Sequence, residues 1–156
     1  MDKFVSYDDH ERAILQQTQR NTAQSLEELS EAFHLLRNAV WRRGKRLQDS
    51  VILKASVALL DAQRVGLGLI VFVSISVRSH SKDWADQFTK VICGLPQVQS
   101  AYHTLGHQDY LIIARVRNVQ AYDDFYQRLI SHIELADVSA SLVIEELKDT
   151  TELPLP

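Results

Sequence analysis

The sequence predicts an α+β chain, with a three-helix head followed by a β-α-β-β-α-β body. Three observations lead there. Apolar residues before residue 50 recur at three- and four-residue intervals, the helical period. The run LIVFVSISV at 69–77 is rich in β-branched residues and alternates at Val71, Val73, Ile75 and Val77. Beyond it, helical and strand patterns follow one another, separated by Gly, Pro and Asp breakers.

The head begins with a helix over 7–18, where Ala13, Ile14 and Leu15 sit among polar residues behind the cap candidates Asp8 and Asp9. In SLEELSEAF, Ser25 and Glu28 have capping-box spacing, and Leu26, Leu29, Ala32 and Phe33 recur helically, so a second helix ends near His34. A third covers 37–48 and turns Val40 and Leu47 inward. At roughly 100° per residue, Asn38, Arg42, Lys45 and Asp49 then lie opposite Val40, with Trp41 and Arg46 flanking that arc. Val51, Ile52 and Leu53 are expected to open a wing, and 57–60 to form a strand connecting head to body.

The body starts with the strand at 69–77. A helix over 81–93 follows, capped by Ser81, with Trp84, Phe88, Val91 and Ile92 inward. Strands over 98–105 and 110–116 flank the turn GHQD. A helix over 121–133 groups Tyr122, Phe125, Leu129 and Ile130, and a strand over 139–147 closes the unit. This order is the ferredoxin-like unit, an antiparallel sheet with both helices on one face. Two helices leave the other face open, so burial against a second subunit is expected, giving at least a dimer. The final DTTELPLP reads as a projecting arm. The domains implied are 1–54 (helix-turn-helix head), 55–66 (hinge strand or linker), 67–148 (body) and 149–156 (extended tail).

Composition narrows function. Of 156 residues, 46% are hydrophobic and 24% charged, which suits packed globular domains. No apolar run approaches the roughly 18 residues needed to span a bilayer, and the polar start MDKFVSYDDHER does not read as a secretory signal, so a cytoplasmic location is expected. The single Cys93 excludes an internal disulfide and lacks zinc-site spacing; it reads as a buried, unreactive thiol. No metal or cofactor is expected.

Net charge is only −3, but it is unevenly distributed. Residues 1–60 hold nine Lys/Arg against eight Asp/Glu, and residues 61–156 eight against twelve. Between 37 and 54, Arg37, Arg42, Arg43, Lys45, Arg46 and Lys54 face only Asp49, a local +5. Such a cluster in an acidic chain points to a polyanion, or to an ordinary solvated helix face. Three short helices with the last basic outside have the layout of a helix-turn-helix head, whose outer face meets a DNA major groove. The DNA-binding candidates are Arg37, Asn38, Trp41, Arg42, Arg43, Lys45 and Arg46. Trp41 either contacts DNA or staples the head to a neighbouring helix.

Catalysis finds little support. His10, His34, His80, His103, His107 and His132 come without paired cysteines, a Glu-x-x-His motif or an activated nucleophile, and read as surface histidines.

Several segments in order resemble the Lrp/AsnC family, also called feast/famine regulators. The opening DDHERAIL resembles the family's first helix, and WRRGKRLQDSVI its recognition helix and following turn. LLDAQRVGLGL resembles the hinge strand, GHQDYL the glycine-to-aspartate loop, and TTELPL the ending of one branch. The resemblance implies a winged head, a body of the RAM type, and a homodimer that often assembles into octamers. It also implies promoter DNA as partner and a small effector, commonly an amino acid, bound between dimers beside the loop. The effector-binding candidates are therefore Leu105, Gly106, His107, Gln108 and Asp109. Chemically, a glycine lets backbone N–H groups approach a carboxylate, while Asp109 could hold an ammonium group. Equally, Gly106 could simply make the turn and Asp109 cap it. His107, at the loop tip, could add selectivity, whereas for His103, on the preceding strand, a role in packing alone is the alternative.

Three residues depart from the family pattern. Leu36 stands where a Ser or Thr caps the recognition helix, Gly44 at an apolar interior position, and Val51 in place of a turn glycine. They put head stability and DNA specificity in question. The rival to a DNA-binding regulator is thus a ligand- or partner-binding oligomeric module with weakened DNA recognition.

Overall fold

The computed structural model describes residues 5–78 and 81–156; His80, one of the six histidines considered above, lies outside them. The chain divides into two compact units, one formed by residues 1–58 with 148–156 and the other by 59–147.

In the first unit, α1 (Asp9–Arg20) starts from a capping box. Asp8 accepts from the Glu11 backbone N–H, and the Glu11 carboxylate accepts from that of Asp8. α2 (Leu26–Phe33) repeats the device with Ser25 and Glu28 and ends at His34 in the left-handed region, at φ 51°. α3 (Arg37–Asp49) follows directly and has no side-chain cap, because Leu36 offers no acceptor. Ile14, Leu15, Val40 and Leu47 are buried at the centre of the three helices, with Leu26, Leu29, Phe33 and Leu53 packed around them. Ala32 of α2 is exposed.

Residues 149–156 do not project as an arm. The Arg20 guanidinium pairs with Glu152 at 2.9 Å. Gln19 exchanges two hydrogen bonds with the Leu153 backbone, Arg12 donates to the Pro156 carbonyl, and Leu155 packs on the helical core. Leu155 finds an apolar niche that only the folded helices create, which a local reading of DTTELPLP could not reveal.

The wing and the connecting strand are also absent: no strand forms over 51–60 among the described residues. Val57, Leu59 and Leu60 are about three-quarters exposed. β-propensity makes a strand only where a neighbour supplies the ladder, and within one chain this segment has none.

The second unit contains β1 (Leu69–Ser76), α4 (Lys82–Cys93), β2 (Val98–His103), β3 (Tyr110–Val116), α5 (Val119–His132) and β4 (Asp137–Leu142). The sheet is antiparallel throughout, in the order β2-β3-β1-β4. β2 and β4 stop short of the expected 105 and 147. Alternation along β1 and β3 sends Val71, Val73, Ile75, Ile112, Ala114 and Val116 to one face, where Phe88 and Ile92 of α4 and Phe125 and Leu129 of α5 seal the core. Trp84 stacks on Phe88 at 5.0 Å between ring centroids. Ile130 is not part of this core and is exposed. Cys93 is exposed rather than buried, because it ends α4 one position beyond the core-facing Ile92.

The opposite sheet face carries Ile70, Phe72, Leu111, Ile113 and, on β2, Tyr102, which pairs with Leu111. Both helices pack on the first face. Phe72 and Tyr102 are exposed.

Candidate functional site

Two places gather the candidate residues, the outer face of α3 and the β2–β3 loop. On α3, Val40 and Leu47 fix the inner side, so Asn38, Arg42 and Lys45 emerge exposed on the opposite arc. The remaining cations are already engaged. Arg46 grips Glu11 through both carboxylate oxygens, Nε to Oε1 at 2.6 Å, and reaches the Ser6 carbonyl. Arg43 meets Asp8 at 3.5 Å and Arg37 meets Glu27 at 2.5 Å. Of the six-cation cluster, Arg42, Lys45 and Lys54 stay outside the ion pairs of the described residues. Trp41 is 52% exposed, and Lys45 Nζ lies 5.4 Å from its ring centroid, in cation–π range.

Glu11 was missed as a key residue by reading the sequence. It is only 2% exposed. The Arg46 hydrogen bond holds its carboxyl below the usual range against the opposing effect of burial, and the Asp8 N–H adds to the lowering. The same contact raises Arg46. The available signal was the Asp-x-x-Glu spacing of Asp8 and Glu11, the capping box itself.

Gly44 sits among these residues at a hollow. A Cβ there would meet nothing within 4 Å. The hollow belongs to a cleft of about 440 Å³ lined by Ile14, Leu26, Leu29, Val40, Trp41 and Leu53, with Thr18, Lys45, Gln48 and Asp49 also contributing.

In the second unit, the loop after β2 brings Leu105, Gly106, His107, Gln108 and Asp109 together. Leu105, Gly106 and His107 are exposed, and a Cβ on Gly106 would again meet nothing within 4 Å. The loop's base is pinned. The Asp109 carboxylate accepts from the Val77 N–H at 2.8 Å, and its own N–H donates to the Ile75 carbonyl. Ser76 donates to the Gln108 side chain at 2.8 Å, and the Thr104 hydroxyl donates to the Gln108 carbonyl. Asp109 thus ties the loop to the end of β1, the capping role considered for it. His103 stacks on Tyr110 at 4.7 Å. No group of three His, Cys, Asp or Glu suited to a metal ion occurs among the described residues, and no helix there is long and apolar enough to cross a membrane.

Comparison with known proteins covers nearly the whole chain. The profile of the Lrp/AsnC ligand binding domain matches residues 70–153. The glutamate uptake regulatory protein of Zymomonas mobilis is 42% identical over 149 residues, 96% of this chain and 91% of that protein. The DNA-binding transcriptional activator DecR of Escherichia coli is 39% identical over 146 residues, 93% of this chain and 96% of its own length. Among solved structures, an AsnC family transcriptional regulator from Agrobacterium tumefaciens superposes with a TM-score of 0.92 at 36% identity, covering 95% of this chain and 97% of that one. The transcriptional regulator NMB0573 of Neisseria meningitidis, in complex with L-Met, gives 0.91 at 35% identity, covering 96% and 97%. All four are named as regulators or activators.

Proposed function

Because the chain belongs to the Lrp/AsnC family, we propose that it is a cytoplasmic, sequence-specific DNA-binding transcriptional regulator whose DNA binding and assembly respond to a small effector, an amino acid. The first unit is read as a helix-turn-helix head, with α3 entering the major groove, and the second as a ferredoxin-like body. One observation carries the reading: α3 offers Asn38, Arg42 and Lys45 on a single exposed arc, with both cations outside the ion pairs of the described residues. Relatives named as a DNA-binding activator and as an L-Met complex support the two halves of the proposal.

Arg42 and Lys45 lead the DNA contacts, with Asn38 and Trp41 beside them. Arg37, Arg43 and Arg46 first hold the head together and reach DNA only in exchange for their carboxylate partners. Replacing Arg42 and Lys45 together by Ala is expected to weaken promoter binding by several kcal/mol, at roughly 1–3 kcal/mol per base-reading contact. A gel-shift titration of the folded double variant checks this, and unchanged affinity would refute it. Affinity should also fall steeply with salt, in proportion to the phosphates neutralised.

The rival module with weakened DNA recognition draws support from two features of α3. Its first turn has no side-chain cap, and Val51 just beyond it has φ 61°. A flat salt dependence would favour that rival.

For assembly, the open sheet face with Ile70, Phe72, Leu111, Ile113 and Tyr102 supports a homodimer, with octamers as multiples. Light scattering that finds a monomer at micromolar concentration would contradict it. We place the effector at Leu105, Gly106, His107, Gln108 and Asp109, a reading supported by the exposure of Leu105, Gly106 and His107 above the Asp109 that pins the loop to β1. Calorimetry with the twenty amino acids, L-Met first, should find a ligand that Gly106→Val weakens; equal binding to both proteins would move the site elsewhere.

A further inference from the structure

The Gly44 cleft shares Trp41 and Lys45 with the DNA face, but its apolar floor is not absorbed by either proposed site. It lies in the head, far in sequence from the 105–109 loop, and about 440 Å³ is within the range of small-molecule pockets. Its apolar wall comes from all three helices: Ile14 of α1, Leu26 and Leu29 of α2, and Val40 of α3. The hollow exists because residue 44 has no side chain. The position lies four residues after the buried Val40 and three before the buried Leu47, on the stripe that would otherwise carry a core residue.

The polar part of the cleft is equally specific. Lys45 is exposed, forms no ion pair among the described residues, and holds its ammonium over the Trp41 ring. Asp49, one turn on, is the only acidic residue between 37 and 54, against six basic ones. Arg37, Arg43 and Arg46 are already paired with carboxylates, so the charge the cleft offers an anion is the Lys45 ammonium, with the exposed Arg42 beside it on α3.

We propose that this cleft binds a small aromatic carboxylate. The ring enters the hollow above Gly44, against Ile14, Leu29 and Trp41, and the carboxylate meets the Lys45 ammonium. An aromatic body fits the Trp41 wall, where ring–ring contact adds to apolar burial. A bound carboxylate would occupy one of the cations assigned to DNA, so ligand and DNA would compete directly within the head. Ligand binding itself needs no DNA and stands apart from the DNA reading.

The test uses the full chain carrying Trp84→Phe, which leaves Trp41 as its sole tryptophan, with 2-naphthoate as the probe. Saturable quenching of Trp41 emission is expected. Gly44→Leu, which fills the hollow, should weaken binding at least about tenfold, and Lys45→Gln several-fold. Gly44→Ala keeps the test valid should the leucine variant misfold: its methyl meets open space and favours the helix, so it should fold and show an intermediate loss. Absence of quenching would overturn the proposal, as would quenching indifferent to both Gly44 variants. Quenching indifferent to Lys45→Gln would overturn the carboxylate assignment. Trp41 emission that changes with protein concentration alone, without probe, would assign the cleft to a second copy of the chain and overturn it too. In a separate measurement, naphthoate should raise the apparent Kd for DNA; if the probe binds but leaves DNA affinity unchanged, the competition fails while the site stands.

Discussion

The two units are stabilised in different ways. Around the sheet, eleven buried residues form one apolar cluster, and no ion pair is needed to close it. The head has four such residues, an open hollow at Gly44 and a carboxylate inside. Small units bury proportionally less surface. Here the deficit is met by two capping boxes, by Arg46 on Glu11, and by a C-terminal segment laid against α1. The head is thus held in part by contacts that can be exchanged, and the sheet unit chiefly by packing.

The molecule contains its own reporters for this contrast, Trp41 in the head and Trp84 in the body. The largest effect is expected from Phe125→Ala, which empties the fully buried centre of the body and should cost about 3–5 kcal/mol. Urea denaturation followed through Trp84 reads it directly. A loss below about 1 kcal/mol would mean the core collapses around the gap and the contrast is overstated.

Next comes Arg46→Ala. It strands Glu11 in the head core, and since Arg46 itself is about half exposed, the cost should fall clearly below that of breaking a fully buried pair. The pair also predicts a pH dependence. Because the folded Glu11 carboxyl titrates below its ordinary value, its contribution is present above that value and is lost as pH falls through the depressed one. Wild-type head stability, read by Trp41, should therefore decline on acidification more than that of Glu11→Gln. Identical acid profiles would remove the ion pair from the account.

Leu155→Ala should cost the head about 1–2 kcal/mol, seen by Trp41 and not by Trp84. An effect on Trp84 alone would reassign the tail. The smallest changes are gains. Val51→Gly relieves a β-branched residue at φ 61°, and Leu36→Ser supplies the missing α3 cap; each should add about 1 kcal/mol to head stability. Thermal melts suffice to check both.

How far the sequence could be read follows the same division. β1 and β3 were legible because alternating β-branched residues have a single solution when one face is buried, and α1 to α3 because caps and helical spacing agree. The wing and hinge strand failed because Val57, Leu59 and Leu60 carry strand propensity without a neighbour in the same chain. Cys93 was misjudged because residue type was allowed to outweigh its place at a helix end. On α3, helical geometry separated the arc of Asn38, Arg42 and Lys45 from the core. It could not show that Arg37, Arg43 and Arg46 have carboxylate partners on other helices, since two of those contacts span 35 residues. At the loop, the turn was visible in GHQD, whereas the tie from Asp109 to Val77 depends on the register of β3 with β1.

The docking of residues 149–156 on α1 has a consequence for synthesis. A growing chain folds from its beginning, and the first 58 residues leave the ribosome long before Leu155 is made. The head must wait through the translation of the whole sheet unit before its last apolar residue arrives. Nascent or prematurely terminated chains thus carry a looser head, with the Leu155 niche unfilled and the partners of Arg20 and Gln19 missing. The head reaches its full set of contacts only after residues 149–156 have been made, so its stability is set by the far end of the sequence as well as by its own helices.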